Sequence, residues 1–138
     1  MRSHVKAYGV VPYLIKDNDI KILLCRSVAS KNKWGCLKGT LNKNESAYEC
    51  AKRELFEETG LSVKKINKIL PPSFAAVAIS DTMTQIAFVE ADGEFEDHTS
   101  ENELIEAAFY SKEEIRQMLE TEQFSSRAQV IAYFFACH

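Results

Sequence analysis

The sequence of 138 residues has little of what marks linker-rich, repetitive or membrane-spanning proteins. It contains only three prolines and five glycines, and no segment suggests a linker or an internal repeat. No apolar run approaches the length of a membrane-spanning helix, and the N-terminus lacks the long apolar core of a signal peptide. The length predicts a single domain, residues 1–138. Because no long apolar run is present, we expect no contact with a membrane.

The chain also lacks a run of basic residues and any CxxC pair of cysteines. Its net charge is −3, so non-specific binding to long nucleic acid is not indicated. Of the four cysteines, Cys50 falls within a predicted helix, and no spacing suggests a disulfide framework. We therefore expect reduced thiols in a cytoplasmic protein.

What is present is a mixed pattern of strands and helices. Residues 5–14 and 20–26 are rich in β-forming side chains, and the turn-forming residues 16–19 between them predict a hairpin. The sequence then predicts a loop over residues 27–38. Further strands are predicted at residues 63–70, 74–80, 84–90 and 104–110, with Pro71 and Pro72 separating the first two.

Two helices are predicted after the last strand, each opened by a Ser-x-x-Glu or Ser-x-x-Gln capping pattern. The first runs from Ser111 to about Glu120, and the second from Ser126 to about Cys137. Together with one earlier helix, these elements predict an α/β fold in which a sheet lies between helices.

The earlier helix carries the most informative residues of the chain. Glu54, Glu57 and Glu58 stand at i, i+3 and i+4, so an α-helix would project their carboxylates from one face. Their repulsion needs compensation, either from Arg53, which reaches Glu57 at i+4 and Glu49 at i−4, or from divalent cations.

These ligands are oxygen atoms alone, which favours a hard ion such as Mg²⁺ or Mn²⁺ over zinc. The alternative is a solvated acidic helix face without a ligand. On another face, Ala47, Ala51 and Leu55 form an apolar stripe, and Ser46 with Glu49 predicts the start of the helix.

Residues 39–61, GTLNKNESAYECAKRELFEETGL, decide between these alternatives because they resemble the Nudix box. That pattern specifies glycines, glutamates, an arginine and apolar residues at fixed spacing. Every specified position is filled here, by Gly39, Glu45, Arg53, Glu54, Leu55, Glu57, Glu58, Gly60 and Leu61.

The resemblance implies a Nudix-type α/β/α sandwich with a mixed β-sheet, and a Nudix pyrophosphohydrolase that cleaves a diphosphate linkage in a nucleoside diphosphate derivative. It implies that Glu54, Glu57 and Glu58 bind the metal, Mg²⁺ or Mn²⁺, with the backbone carbonyl of Gly39 as an additional ligand. Arg53 would orient the carboxylates. A homodimer is an assembly common among such relatives.

Four further residues acquire expected roles in the same way. Glu45 fits a supporting place behind the metal ligands, and Gly60 a left-handed position at the helix end. Lys38 would contact a phosphate, and Trp34 either contacts substrate or anchors its loop. Tyr8, Phe74 and Tyr133 are equal candidates for stacking against a nucleobase.

The general base of the reaction is expected to be a carboxylate close to the metal. A box glutamate, such as Glu57, fits this role. The acidic segment 94–106 offers others, of which Glu103 is favoured as a base or an additional ligand, and His98 is a weaker candidate for a phosphate contact. A solvated acidic loop is the alternative.

The substrate is the least defined part of the prediction. Lys38 before Gly39 tips the choice towards dinucleoside polyphosphates or the 5′-triphosphate end of RNA. A nucleoside triphosphate or nucleotide-sugar pyrophosphatase is the first alternative. A non-catalytic Nudix-fold module that senses a nucleotide is the second.

Overall fold

The computed structural model describes residues 5–93 and 105–138. Within these ranges, seven strands and three helices follow one another: β1 (Val5–Lys16), β2 (Asp19–Ser27), β3 (Leu37–Gly39), α1 (Ala47–Thr59), β4 (Ser62–Ile69), β5 (Ser73–Phe74), β6 (Met83–Asp92), β7 (Ile105–Ser111), α2 (Lys112–Thr121) and α3 (Ser126–Cys137). None of the helices in these ranges is long and apolar enough to cross a membrane.

The strands form one mixed sheet of seven strands in the order β4-β6-β1-β2-β7, with β3 pairing β1 and β5 pairing β6. Strands β1 and β6 run parallel, whereas the other pairs are antiparallel. In the β1–β3 pair, Tyr8 lies opposite Gly39 and Gly9 lies opposite Lys38. This register places the start of the box beside the central strand of the sheet.

The predicted hairpin between β1 and β2 is confirmed. Its two turn residues, Asp17 and Asn18, have φ angles of 53° and 65°. Positive φ at both central positions is the geometry of a tight hairpin turn whose twist matches that of the strands, and Asn and Asp tolerate it best after glycine.

Side chains of β2 alternate between two hydrophobic cores on opposite faces of the sheet. Leu23 packs in one core with Ala51 and Leu55 of α1. Leu24 packs in the other core, where it joins Ile115 of α2, Ala132 and Ala136 of α3, and Ile22. Helices therefore cover both faces, which confirms the predicted α/β/α arrangement around a mixed sheet.

Helix α1 begins and ends as predicted. The Ser46 side chain accepts a hydrogen bond from the Glu49 N–H at 3.1 Å, and the Glu49 carboxylate accepts one from the Ser46 N–H at 3.3 Å. Gly60 ends the helix with φ 76°, a left-handed conformation that costs glycine little.

Three predicted elements were wrong in detail. The strand expected over residues 74–80 is only the short β5, because the chain turns after it and the Ala75 N–H donates to the Thr82 carbonyl at 2.8 Å. The loop expected over residues 27–38 ends in strand β3. The cap of α3 is Ser125 rather than Ser126, since the Ser125 hydroxyl accepts from the Ala128 N–H.

Candidate active site

Helix α1 presents two different faces, and this division positions the site. Ala51 and Leu55 are 1% and 0% exposed and bind the helix to the sheet. Arg53 and Glu57 lie on the other side, where the Glu57 side chain is 54% exposed. The apolar stripe predicted from the sequence therefore fixes the rotation of the helix and directs the charged residues outwards.

Arg53 is the centre of the charged cluster. Its guanidinium donates two hydrogen bonds to Glu45, from Nε to Oε2 at 2.8 Å and from Nη2 to Oε1 at 3.0 Å. Nη1 donates to Glu54 Oε1 at 2.9 Å and to Glu57 Oε2 at 3.2 Å, and Nη2 donates to the Thr40 carbonyl at 2.8 Å. One arginine therefore holds three of the four box glutamates.

Arg53 was expected to reach Glu49 as well, and the structure corrects this. The Glu49 carboxylate accepts from the backbone of Ser46 in the capping box. Glu45, which precedes the helix, takes the guanidinium instead and offers it the two-point geometry that carboxylates and arginines favour. The hydrogen bonds with Arg53, foremost among the causes, lower the pKa of Glu45 to about 2.

Glu54 is the buried member of the cluster, with 7% of the residue exposed. Burial raises its pKa, and the neighbouring Arg53 opposes that rise. A Cβ built on Gly39 would overlap the Glu54 carboxyl group and its Cγ. Glycine at position 39 therefore lets the backbone of β3 approach this carboxylate directly.

The donor set fits a hard divalent cation in chemical type, since it consists of carboxylates and one backbone carbonyl. Across residues 5–93 and 105–138, however, no three Asp, Glu, His or Cys side chains are arranged as a ready metal site. Glu54 and Glu57 are both turned to Arg53, whereas Glu58 lines a neighbouring cavity. The structure thus brings the predicted ligands onto one helical turn without converging them on a point.

The neighbouring cavity has a volume of about 670 Å³, which is within the usual range for sites that bind small molecules. Its walls come from the end of β2, residues 33–38, β5, the first turn of α3 and one residue of α1. They include two residues predicted to contact substrate, Trp34 and Lys38, together with Glu58. The phosphate and metal parts of the predicted site are therefore adjacent.

Trp34 is an anchor in this structure. It is 3% exposed, its ring packs edge-on against Tyr110 at 5.5 Å between centroids, and the Arg26 guanidinium lies 4.6 Å from the ring centroid. A ring covered in this way offers no open face for stacking. The loop-anchor alternative fits this geometry, and a direct substrate contact by Trp34 stays a prediction.

The three aromatic candidates for stacking lie in different parts of the structure. Phe74 is 57% exposed and lines the cavity. Tyr133 is on α3, beside Phe134 and His138. Tyr8 is on β1, opposite Gly39. Neither tyrosine is among the residues that line the cavity.

Two predicted residues lie outside the described residues, namely Glu103 and His98. The structure also adds residues that the sequence did not suggest, since Arg26, Lys33 and Arg127 line the cavity. No motif marks these three, and Arg127 joins the other two only because α3 packs beside residues 26–33 in the folded chain.

The comparisons with known proteins agree with this fold. The family model described as NUDIX domain matches residues 5–134. Nudix hydrolase 19, chloroplastic, from Arabidopsis thaliana is 24% identical over 121 residues, which is 85% of this chain and 27% of that protein. The chain thus spans about a quarter of the length of that curated relative.

Among solved structures, the NUDIX domain of Shewanella oneidensis NrtR, crystallised in complex with ADP ribose, has a TM-score of 0.68 and 13% identity. The match covers 96% of this chain and 86% of that chain. At 13% identity this match shows a similarity of fold alone.

The fold is a mixed α/β domain in which one helix carries the clustered carboxylates of the box. The chain belongs to the Nudix family, whose domain model matches residues 5–134. Enzymes of this family generally use divalent metal cations.

Proposed function

We propose that this domain hydrolyses a diphosphate linkage in a nucleoside diphosphate derivative, with Mg²⁺ as its metal and Mn²⁺ as a substitute. One observation carries the proposal: the box residues Arg53, Glu45, Glu54 and Glu57 form a single connected cluster beside a cavity that has basic walls. A dense negative charge such as a diphosphate needs cations on both sides for its cleavage.

In this proposal Glu54, Glu57, Glu58 and the carbonyl of Gly39 hold the metal. The cation, when bound, neutralises charge on the phosphate oxygens and orients the attacking water. Arg53 positions Glu54 and Glu57 through Nη1, and Glu45 fixes Arg53 in turn. Glu45 thereby acts as a supporting residue without contact with the substrate.

The general base takes a proton from the attacking water, and Glu57 fits this role among the described residues. Its side chain is 54% exposed, and among the described residues it accepts a hydrogen bond from Arg53 at 3.2 Å. Glu103 is the second candidate for base or ligand, on the sequence argument alone.

For the substrate we propose a dinucleoside polyphosphate or the 5′-triphosphate end of an RNA. Lys38 supports this choice because it lines the cavity immediately before Gly39, where a phosphate next to the metal would lie. Nucleoside triphosphates and nucleotide sugars are the alternative substrates. ADP ribose joins them because the Nudix domain of NrtR is complexed with that ligand.

The test is a panel of nucleotides incubated with purified protein, with and without Mg²⁺. It includes a dinucleoside tetraphosphate, ADP ribose, NADH, nucleoside triphosphates and 5′-triphosphorylated RNA, with products separated by ion-exchange chromatography. We expect Mg²⁺-dependent products from at least one member. Absence of turnover for every member, with Mg²⁺ binding intact, would favour the non-catalytic sensing module instead.

A further inference from the structure

The cavity differs in charge from the rest of the molecule. Among the residues that the structure describes, four basic side chains line it, those of Arg26, Lys33, Lys38 and Arg127, against one acidic side chain, that of Glu58. The whole chain carries a net charge of −3. A concave site whose walls carry mostly one sign of charge raises the local concentration of ligands of the opposite sign, so this cavity is suited to an anion.

Three of these four cations form no ion pair with the residues that the structure describes. Arg26 is paired with Glu106 at 2.9 Å. For Lys33, Lys38 and Arg127, no ion pair within 4.0 Å is formed with the residues in ranges 5–93 and 105–138. Arg127 is partly buried, which makes an unpaired charge there more costly than on an open surface.

Backbone hydrogen bonds fix where Arg127 lies relative to the box. The Trp34 N–H donates to the Gln123 carbonyl, and the Ser125 N–H donates to the Trp34 carbonyl, both at 2.9 Å. These bonds join the segment that contains Lys33 to the start of α3. Lys38 lies four residues after Trp34, so the two Cα atoms are at most about 14 Å apart even in an extended chain.

The first turn of α3 adds to the attraction of the cavity for an anion. Ser125, Ser126, Arg127 and Ala128 all line the cavity, and this turn contains no acidic residue. The N-terminal end of a helix attracts anions and disfavours a cation such as Arg127. Within the described part of the chain, the buried indole Nε1–H of Trp34, another residue that lines the cavity, has no hydrogen-bond partner. An anion in the cavity would offset the unfavourable position of Arg127 at this helix end.

We propose that Arg127 and Lys33 form a second anion subsite, which binds a substrate phosphate group outside the diphosphate that is cleaved. The subsite makes substrates with three or more phosphates the preferred class over those with two. It rests on the proposed function, in which the cleaved diphosphate lies by Lys38 and the carboxylates of α1.

The first test compares two substrates across matched variants. Mg²⁺-dependent kcat/KM is measured for a dinucleoside tetraphosphate and for ADP ribose with wild type, Arg127→Ala, Arg127→Lys, Lys33→Ala and the control Lys65→Ala. Lys65 is an exposed lysine of β4 that does not line the cavity.

We expect Arg127→Ala to lower kcat/KM for the tetraphosphate about tenfold or more, the usual effect of losing a charged hydrogen bond, and for ADP ribose about twofold at most. Lys33→Ala should act in the same direction, whereas Arg127→Lys should retain most of the preference and Lys65→Ala all of it. An equal loss for both substrates, or no loss for either, overturns the subsite.

The second test does not depend on turnover. Trp34 is the single tryptophan of the chain and lines the cavity, so its fluorescence reports on a ligand bound there. Inorganic tripolyphosphate is titrated in the presence of EDTA into wild type and the same variants, with circular dichroism confirming that each is folded. We expect a saturable change in wild type that Arg127→Ala weakens about tenfold and Lys65→Ala leaves unchanged.

The absence of saturable binding to wild type, or equal binding to Arg127→Ala, contradicts the subsite. The two proposals fail separately in these tests. If the protein hydrolyses nucleotides and Arg127→Ala does not change its preference for the tetraphosphate over ADP ribose, the subsite is refuted and the proposed function stands. Tripolyphosphate binding that depends on Arg127, in a protein that turns over no nucleotide, leaves the subsite and removes the proposed function.

Discussion

Arg53 and Glu45 form a two-point ion pair, with Nε bound to Oε2 at 2.8 Å and Nη2 bound to Oε1 at 3.0 Å. The side chains are 23% and 11% exposed, so the pair is largely shielded from water. This contact ties the segment before α1 to the helix and leaves Nη1 of Arg53 for Glu54 and Glu57. The arrangement of Glu54 and Glu57, the carboxylates proposed to bind the metal, therefore depends on Glu45, which has no proposed contact with the metal.

The first prediction concerns the acid stability of this pair. Because the folded-state pKa of Glu45 is about 2, below its ordinary value of 4.5, its contribution to stability is present above pH 4.5. It is lost as the pH falls from 4.5 towards 2. Urea unfolding in EDTA at pH 7, 4 and 3 should show a shallower decline for Glu45→Gln than for wild type.

The control for this experiment is Glu120→Gln, since Glu120 is an exposed residue of α2 without an ion pair to the described residues. It should follow the wild-type decline. A Glu45→Gln protein with the same pH dependence as wild type would show that the pair does not hold Glu45 ionised.

The second prediction concerns Glu57. Its side chain is 54% exposed and makes one hydrogen bond, so Glu57→Gln should change the free energy of unfolding by about 1 kcal/mol at most. Turnover should fall at least a hundredfold, because even residues behind a metal ligand typically contribute about 10 to 100-fold.

The measurement is steady-state turnover with Mg²⁺, beside urea unfolding. Glu113→Gln, which alters an exposed carboxylate in the first turn of α2, is the matched control and should retain wild-type turnover. Wild-type turnover by Glu57→Gln refutes a part for Glu57 as ligand or base.

The third prediction concerns Gly39. A Cβ at this position overlaps the Glu54 carboxyl group, so Gly39→Ala must displace that side chain from β3. We expect Mn²⁺ affinity, measured by calorimetry, to fall about tenfold or more. Stability should fall by about 1 to 3 kcal/mol, the usual effect of overpacking.

Gly35→Ala is the control on the same segment, since its added Cβ would meet nothing closer than 3.9 Å. It should keep the Mn²⁺ affinity of wild type. If Gly39→Ala also keeps that affinity, the close approach of β3 to Glu54 has no part in metal binding.

The fourth prediction concerns Phe74 as the surface that stacks against a nucleobase. Its ring is 57% exposed in the cavity wall, so little of its packing is lost in Phe74→Ala. Because base stacking contributes about 1 to 3 kcal/mol, KM for a nucleotide substrate should rise about fivefold or more with a smaller change in kcat.

Tyr133→Ala provides the comparison, since Tyr133 is 50% exposed on α3 and does not line the cavity. Its KM should equal that of wild type. A larger effect of Tyr133→Ala than of Phe74→Ala would move the stacking site to α3.

Local patterns in the sequence predicted the elements that local forces determine. The cap of α1 at Ser46, its end at Gly60 and the turn at Asp17 and Asn18 all follow from residues close to one another in the chain. The strand predicted over residues 74–80 failed because its apolar run resembles that of a strand while the chain closes a turn between Ala75 and Thr82.

The sequence by itself determined the family and the helix that carries the carboxylates, and it suggested the class of bond in the proposed reaction, because these depend on residue types at short, fixed spacing. Only the tertiary structure decided that Arg53 binds Glu45 rather than Glu49, and that Arg127, Lys33 and Phe74 share one cavity. Such contacts join distant segments, and the register of the sheet and the packing of α3 against it set them. The spacing of residues along the sequence predicts neither the register of the sheet nor the packing of α3.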